Sequence, residues 1–170
     1  MKSNGWLHSF RHSSPYINAH RGKTVVLMFG GEAVTHPNFA NIIHDIALLN
    51  SLGVKLVLVH GSRPQIEAKL EELNIEDRVH HHLRVTDADT LRCVIESAAS
   101  LRIEIEAKLS MGLANSPMHG AKIRVCSGNF VTARPFGIYN GVDLCHTGEV
   151  RRIDREAIRQ QLNLNNIVLL

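Results

Sequence analysis

The distribution of apolar residues predicts two strand–loop–helix units near the start of the chain. Residues 24–29 form an apolar run that leads into Gly30-Gly31, and residues 54–59 lead in the same way into Gly61. Continuous apolar runs of this length are typical of strands that are buried on both faces of a parallel sheet. Glycine lets the backbone turn sharply and approach a ligand closely. Because ligands bind at strand carboxyl ends in open α/β sheets, these two loops form the expected binding edge.

Apolar residues at helical spacing separate the two predicted strands. They begin after Pro37, and Gly53 ends the predicted helix immediately before the second strand. The members of this stripe are Phe39, Ile42, Ile43, Ile46, Ala47 and Leu49. A strand–helix–strand crossover of this kind implies that the two strands are parallel neighbours.

Two further helices are predicted downstream. Pro64 suits the first turn of the earlier helix. The apolar side of that helix consists of Ile66, Leu70 and Leu73. The polar residues 74–84 predict a loop or a short hairpin. Thr86 is the predicted cap of the later helix, which should run to about Met111 and end at Gly112. The stripe of the later helix consists of Leu91, Val94, Ile95, Ala98, Leu101, Ile105 and Leu109.

The C-terminal part of the chain predicts hairpins, a helix and a final strand. Short β-rich segments separated by Gly, Pro and Asn are typical of hairpins. These segments are Ile123-Arg124-Val125, residues 130–134 and residues 137–139. Asp154 is the predicted cap of a helix through Leu162, and residues 166–170 form an apolar strand. A buried strand without a polar tail is an unusual natural terminus, so we expect the chain to be a fragment of a longer one.

Together these elements predict an α/β fold. The expected architecture is an open, mostly parallel sheet with helices on both faces, in three layers, with a β-hairpin insertion. We assign residues 22–170 to this domain and residues 1–21 to an N-terminal helix and arm.

The N-terminal arm carries apolar residues on one face of its predicted helix. These residues are Trp6, Leu7 and Phe10. Pro15 disfavours the helical conformation of the preceding residue, so the helix is expected to stop near Ser13. Two roles stay open for this helix, which are a contact with another subunit and a cover for one end of the sheet. The first role predicts a homo-oligomer.

Composition and charge exclude several classes of protein. The chain of 170 residues is 44% hydrophobic and 21% charged, with a formal net charge of +3. Its Lys and Arg residues are scattered, whereas nucleic-acid-binding domains carry a clustered basic face, so we expect no nucleic-acid partner. No apolar run approaches the roughly 18 residues of a membrane span. With no apolar stretch of secretory length at its start, the chain is expected to be cytoplasmic.

The cysteines and histidines do not predict a disulfide or a metal site. Cys93, Cys126 and Cys145 are widely separated and odd in number, so free thiols are expected. The three consecutive histidines at residues 80–82 could bind a metal, but adjacent residues do not share a helix face or a strand face. An exposed turn or sheet edge is the alternative, and no metal site is predicted.

Several motifs along the chain are shared with one protein family. They are residues 14–24 (SPYINAHRGKT), 30–33 (GGEA), 36–39 (HPNF), 44–49 (HDIALL), 57–66 (VLVHGSRPQI) and 84–87 (RVTD). By these motifs the chain resembles the amino-acid-kinase-like domain of bacterial N-acetylglutamate synthases. The resemblance extends over essentially all 170 residues.

The resemblance implies an enzyme of arginine biosynthesis. Members of this family transfer the acetyl group of acetyl-CoA to L-glutamate, and L-arginine inhibits them. In the family an amino-acid-kinase-like domain is followed by an acetyltransferase domain, and this chain matches only the N-terminal portion of the first. The chain is therefore expected to be a regulatory and oligomerising segment that is not catalytic alone, with no cofactor of its own.

Comparison with the related acetylglutamate kinases predicts the loss of phosphoryl transfer. Those kinases place a lysine two residues before the Gly pair of the first strand, where this chain has Met28. A thioether cannot offset the negative charge of a phosphoryl group in flight. In the second loop, residues 61–64 (GSRP), Arg63 adds bulk and charge while Pro64 lacks an N–H donor.

The candidate ligand-binding residues are those of the two loops and one arginine beyond them. They are Gly30, Gly31, Gly61, Ser62, Arg63 and Arg84. Arg84 matches the arginine with which the kinases bind the acetylglutamate carboxylate; a structural ion pair with Asp87 or another acid is the alternative. His60 is either a core or loop histidine or a catalytic base. Glu32 either receives an amino group or lies in solvent.

Two other functions stay open at this point. The chain could belong to a true acetylglutamate-kinase-like phosphotransferase, for which Met28 is the discriminating residue. It could also be a non-enzymatic small-molecule-binding fragment.

Overall fold

The computed structural model describes residues 5–111 and 122–170, which form an α/β structure. The strands are β1 (Thr24–Phe29), β2 (Lys55–His60), β3 (Val79–His80), β4 (Leu83–Arg84), β5 (Val125–Cys126), β6 (Val131–Pro135), β7 (Ile138–Tyr139), β8 (Val142–Asp143), β9 (Gly148–Ile153) and β10 (Ile167–Leu169). The helices are α1 (Gly5–His20), α2 (Gly31–Thr35), α3 (Phe39–Ser51), α4 (Arg63–Glu72), α5 (Ala88–Ser110) and α6 (Arg155–Asn163).

A four-stranded parallel sheet organises the molecule, with the strand order β1-β2-β10-β5. Val25 lies opposite Leu56 and Leu27 opposite Leu58, so β1 and β2 are in register along their length. The predicted strand–helix–strand unit is therefore confirmed. Gly53, which follows α3, has a φ of +85°, a conformation that glycine adopts without steric cost and that ends the helix.

The two faces of the sheet are covered by different helices. On one face, side chains from β1, β2 and β10 pack against α3 and α5, and this larger core includes Leu56, Leu58 and Ile105, which are all fully buried. On the other face, Val57 and Val168 pack against Leu162 of α6 and against Phe130. The predicted open parallel sheet with helices on both faces is confirmed.

The expectation that the first strand is buried on both faces is wrong. Val26 is 62% exposed and Met28 is 83% exposed, and both lie on the face of β1 opposite to α3 and α5. The reason is the position of β1 at the edge of the four-stranded sheet. On that face α6 covers β2 and β10, and it does not extend over β1.

The long helix α5 differs from its prediction in its N-cap residue and in one residue of its apolar stripe. Asp87, rather than Thr86, caps it, because the Asp87 carboxylate accepts a hydrogen bond of 2.9 Å from the Thr90 N–H. Thr86 is buried and shares a hydrogen bond of 2.8 Å with the hydroxyl of Thr147. Ile95, which we assigned to the apolar stripe, is 58% exposed. The predicted stop at Gly112 lies outside the described residues.

Helix α4 buries two of its three predicted apolar residues, and the third follows its end. Ile66 and Leu70 are buried, whereas Leu73 is 48% exposed. Leu73 follows the last helical turn as the C-cap residue, so its side chain no longer shares the buried face.

Two antiparallel strand pairs occupy the region that the sequence predicted to be β-rich, and one of them is a hairpin between consecutive strands. β6 pairs with β9, and β7 pairs with β8, both in antiparallel fashion. The first β-rich segment instead joins the main sheet, since β5 pairs in parallel with β10. Asp154 caps α6 as predicted, by accepting a hydrogen bond of 3.0 Å from the Ala157 N–H.

The N-terminal helix continues past the predicted stop near Ser13 and ends at His20. Pro15 lies inside it and has no N–H for the Arg11 carbonyl four residues earlier. Almost every described residue of α1 is exposed, so water can replace that missing donor. The exposed setting thus lets the helix accept a proline that a packed helix would not.

The three cysteines and the lengths of the helices bear on the predictions about disulfides and membrane spans. Cys93, Cys126 and Cys145 are free cysteines, as predicted. In the described part of the chain, no helix combines the length and the apolar character that crossing a bilayer requires.

Candidate functional site

The loops after β1 and β2 lie against each other at the carboxyl ends of the strands. The Gly61 N–H donates a hydrogen bond of 2.9 Å to the Phe29 carbonyl. A Cβ placed on Gly61 would lie 3.5 Å from the Cα of Gly30. The parallel pairing of the strands thus brings Gly30, Gly31 and Gly61 together, as the sequence predicted.

A glutamine fixes the distance between the two loops. Gln65, in the first turn of α4, donates a hydrogen bond of 2.8 Å from its Nε2 to the Gly31 carbonyl. A Cβ on Gly31 would overlap the Gln65 Oε1 and would lie 3.0 Å from the Gly61 carbonyl oxygen. Gly31 is therefore required by the close approach of α4, because any side chain there would separate the loops.

Arg84 is held by a carboxylate of its own chain. Its Nε and Nη2 donate hydrogen bonds of 2.7 and 2.8 Å to the two carboxylate oxygens of Asp77. The hairpin formed by β3 and β4 brings these residues together, and the Arg84 side chain is only 16% exposed. Of the alternatives that the sequence left open for Arg84, the structure shows an ion pair with another acid. Asp87 pairs instead with Arg78, at 2.7 Å.

Arg63 is also paired with a carboxylate. Its Nε lies 2.7 Å from Glu67, one turn further along α4, and Glu67 lies 3.7 Å from Arg84 as well. The Arg63 side chain is 74% exposed, so the pair is well solvated.

Three of the candidate residues share a small cavity. Ser62, Arg63 and Arg84 line a space of about 240 Å³. The remaining lining residues are Ile66, Val79 and His82. Glu67 and Asp77 neutralise the two guanidinium groups, so the cavity does not present a strong positive charge to a ligand. A carboxylate ligand would have to displace Asp77 to obtain a bidentate contact with Arg84.

The ion pair with Arg84 stabilises the charged form of Asp77. Hydrogen bonding from Arg84 lowers the pKa of Asp77 below its ordinary value, and the charges of Arg84 and Arg63 act in the same direction. Partial burial opposes this shift but is the smaller effect. The ion pair therefore persists to lower pH than an isolated aspartate would allow.

Replacing Arg84 with methionine should destabilise the chain in a pH-dependent manner. At pH 7 we expect a loss of about 1.5–3 kcal/mol, because a partly buried charged hydrogen bond is removed. Since the folded state lowers the pKa of Asp77, this stabilisation is fully present above about pH 4 and disappears as the pH falls through the folded-state value. Urea unfolding of both proteins at pH 7 and pH 3 measures the difference.

A matched control for Arg84→Met is Arg92→Met. Arg92 lies 3.6 Å from Asp89 on α5, and both side chains are 71% exposed, so this change should alter the stability by less than about 0.5 kcal/mol. If Arg84→Met costs the same at pH 3 as at pH 7, the Asp77 ion pair does not cause the effect.

Two other residues flank the loops. Met28 lies opposite Val59 in the sheet and points to the open face of β1, where it contributes a neutral thioether. His60 ends β2 and is half-buried, and this burial lowers its pKa; a backbone contact with Gly61 opposes the shift, and the charge of Arg102 adds to it. The neutral form of His60 is therefore favoured in the folded chain.

The sequence did not identify the acidic residues that pair with Arg63 and Arg84, or the glutamine that contacts Gly31. Glu67 was detectable, because it follows Arg63 by four residues, a spacing that pairs side chains on a helix. Asp77 and Gln65 gave no such signal, since their contacts depend on the register of the β3–β4 hairpin and on the docking of α4. Glu32 is exposed, and its carboxylate folds back over Gly30.

Comparison with known proteins finds similar amino-acid acetyltransferases. The chain is 62% identical over 165 residues to an amino-acid acetyltransferase of Ectopseudomonas mendocina, covering 97% of this chain and 38% of that protein. An amino-acid acetyltransferase of Azotobacter vinelandii is 61% identical over the same length. This chain thus spans little more than a third of the curated relatives that it matches.

Solved structures agree with these relatives. The N-acetylglutamate synthase of Neisseria gonorrhoeae, complexed with coenzyme A and L-arginine, superposes with a TM-score of 0.83 at 33% identity, over 98% of this chain and 39% of that chain. The amino acid kinase family model matches residues 23–170, which include the whole parallel sheet and both glycine loops. The chain belongs to the amino acid kinase family.

Proposed function

We propose that this chain is the N-terminal part of the amino-acid-kinase-like module of an N-acetylglutamate synthase. The complete enzyme would transfer the acetyl group of acetyl-CoA to L-glutamate and form N-acetyl-L-glutamate. Support comes from the amino-acid acetyltransferases that are 62% and 61% identical to it, and from the synthase structure that matches 98% of it. The chain itself has a regulatory and assembly role in this proposal, and its catalytic partner domain lies elsewhere in the protein.

One structural observation carries the non-catalytic role. The residues that should bind a phosphorylated or carboxylate substrate are already engaged within the chain, since Asp77 holds Arg84 and Glu67 holds Arg63. The position of the kinase lysine is occupied by Met28, which is neutral and exposed. Phosphoryl transfer depends almost entirely on positioning and on positive charge around the phosphate, and this edge of the sheet has lost both.

The regulatory ligand that we propose is L-arginine. The synthase structure that matches this chain was complexed with L-arginine and coenzyme A. An effector of this kind acts by binding one arrangement of the protein better than another, so its effect requires an assembly that can change. The assay is acetyl transfer by the complete translated product of the gene, with and without L-arginine. We expect glutamate-dependent release of CoA that L-arginine inhibits, and an activity that is insensitive to L-arginine would contradict the regulatory role.

The proposed contact for this assembly is the apolar face of α1, docked on a second copy of the chain. Leu7 is 36% exposed and Phe10 is 60% exposed, although both belong to the apolar side of a regular helix. In the part of the chain that the structure describes, the half-buried side chains of α1 are those of Ser14 and Ile17, which line a cavity together with Phe10 and Leu52. The helix therefore contributes little to the sheet as a cover, which favours the first of its two open roles.

Removing α1 should reduce the size of the oligomer. We expect that deleting residues 1–20 lowers the molar mass measured by sedimentation equilibrium to that of a smaller assembly, while the far-UV circular dichroism of the remainder is kept. The substitution pair Leu7→Ser and Phe10→Ser should have the same effect. The control is Ala19→Ser, an exposed change near the end of the same helix that lies away from Leu7 and Phe10. An unchanged mass in both α1 variants excludes α1 as the contact.

Restoring the kinase lysine should neither harm the fold nor create a kinase. Met28 is 83% exposed, so Met28→Lys should change the free energy of unfolding by less than about 0.5 kcal/mol. The variant should still release no ADP from ATP in the presence of N-acetylglutamate, because Arg63 and Arg84 stay paired with acids. Urea unfolding measures the stability of the variant, and a coupled ADP assay on the same preparation measures its kinase activity. Measurable phosphorylation by the variant would show that a single residue separates this edge from a kinase site.

A further inference from the structure

The exposed helix α1 carries a pair of histidines that is separate from every site described above. His8 and His12 are four residues apart, so they lie one above the other on the same side of the helix. Both are exposed, their ring centroids are 4.2 Å apart, and their Nε2 atoms are 3.0 Å apart. At 100° per residue, this side of α1 faces away from Leu7 and Phe10. The pair therefore stays accessible when the apolar face is covered.

The distance between the two nitrogens matches a chelated metal ion. Protein imidazole nitrogens bind transition metals at about 2.0–2.1 Å. Two such bonds that span the 3.0 Å between the Nε2 atoms enclose an angle of about 90° at the metal. An angle of this size joins neighbouring positions of a square-planar or octahedral ion, the geometries that Ni²⁺ and Cu²⁺ prefer. The separation of the two nitrogens therefore already suits both bonds, and a metal ion bound to them takes the place of their mutual hydrogen bond.

We propose that His8 and His12 form a surface binding site for a divalent late transition metal that prefers imidazole ligands, with water in the other positions. Two histidines at this helical spacing also supply two ligands in zinc metalloproteases, which shows that the spacing permits chelation. Because imidazole nitrogen favours Ni²⁺, Cu²⁺ and Zn²⁺ over hard ions, Mg²⁺ should not bind here. The described residues contain no cluster of three or more His, Cys, Asp or Glu side chains suited to a metal, so this site has two protein ligands.

The His pair is better placed for this role than the consecutive histidines of the hairpin. His81 and His82 occupy the turn between β3 and β4, with φ values of +47° and +67°. Residues in such a turn do not repeat on one face, as residues four apart on a helix do. The His80 and His81 rings instead pack on Tyr139. A regular helix holds His8 and His12 in a geometry that a strained turn does not provide.

The test is a Ni²⁺ titration of the untagged chain by isothermal calorimetry, in a chelator-free, mildly alkaline buffer in which imidazole is neutral. Ni²⁺ is preferable to Cu²⁺, because the exposed thiol of Cys145 would reduce copper. The variants are His8→Gln and His12→Gln. The matched control is His20→Gln, since His20 is exposed on the same helix but has Tyr16, which is not a ligand of Ni²⁺, four residues before it.

The expected outcome separates a chelating pair from scattered single histidines. Loss of an outer-shell partner already weakens metal binding by about 10–100-fold, so His8→Gln and His12→Gln should each weaken the tightest Ni²⁺ site by at least about tenfold. His20→Gln should leave it unchanged, and Mg²⁺ should give no binding heat. The proposal is overturned if His20→Gln weakens binding as much as the other two variants, or if either His8→Gln or His12→Gln has no effect. Circular dichroism confirms that α1 is intact in each variant.

Discussion

Replacing Ile105 with alanine should lower the free energy of unfolding by about 2–5 kcal/mol, the range for deleting a buried isoleucine side chain beyond Cβ. Ile105 lies in the C-terminal third of α5, is fully buried, and belongs to the larger core between the helices and the sheet. Truncation would leave a cavity in this core, and the neighbouring side chains that come from the hydrogen-bonded sheet cannot move in to fill it. Urea denaturation followed by circular dichroism measures the change.

Ile103→Ala is the matched control for this experiment. Ile103 is on the same helix, two residues away, but is 58% exposed. The same chemical change should therefore cost less than about 0.5 kcal/mol, and the slightly better helix propensity of alanine works in its favour. Equal losses for the two variants would mean that α5 does not pack on the sheet through the face described above.

Replacing Gly31 with valine should destabilise the chain by about 2–3 kcal/mol and should separate the two loops. A side chain here would meet the Gln65 Oε1 and the Gly61 carbonyl oxygen, 3.0 Å from the new Cβ. The glutamine can swing away, but this movement breaks its hydrogen bond to the Gly31 carbonyl. The backbone of Gly61 can move only if the two loops separate.

The sign of the simpler Gly31→Ala change is also informative. Alanine at a helical position is usually more favourable than glycine by about 1 kcal/mol. We expect the opposite sign at Gly31 because of the contacts with Gln65 and Gly61. Gly5, the first residue of α1, is the control, since a Cβ there would meet nothing within 4 Å. A stabilising Gly31→Ala change would show that the loops are not in direct contact.

The sequence was sufficient to locate most elements of the sheet, because burial leaves a clear signal. The apolar runs around Leu27, Leu58 and Val168 are all strands, and the helical stripe from Phe39 is α3. Asp154 was recognisable as a helix cap from its position before a helical pattern. The parallel pairing of β1 with β2 followed from the crossover between them.

The strand order and the exposure of β1 could not be predicted from the sequence. An apolar run such as that of β1 does not reveal whether helices cover both faces, and here Val26 and Met28 stay exposed. The insertion of β10 between β2 and β5 brings together residues that are far apart in the chain. Tertiary packing, rather than local preference, decides both features.

The candidate site was predictable in its position and not in its electrostatics. Strand–loop patterns correctly brought Gly31 and Gly61 together. They could not reveal that Asp77 would hold Arg84, because the sequence offers Asp87 as an equally plausible partner. The choice is made by the register of the β3–β4 hairpin, which places Val79 opposite Arg84 and so brings the nearby Asp77 within reach.

We propose that this kinase-like scaffold no longer transfers phosphate and serves an acetyltransferase. The most direct measurement gives the complete translated product of the gene two substrate pairs in parallel: acetyl-CoA with L-glutamate, and ATP with N-acetylglutamate. Our account predicts CoA release from the first pair and no ADP from the second. ADP formation that depends on N-acetylglutamate, without acetyl transfer to glutamate, would contradict it.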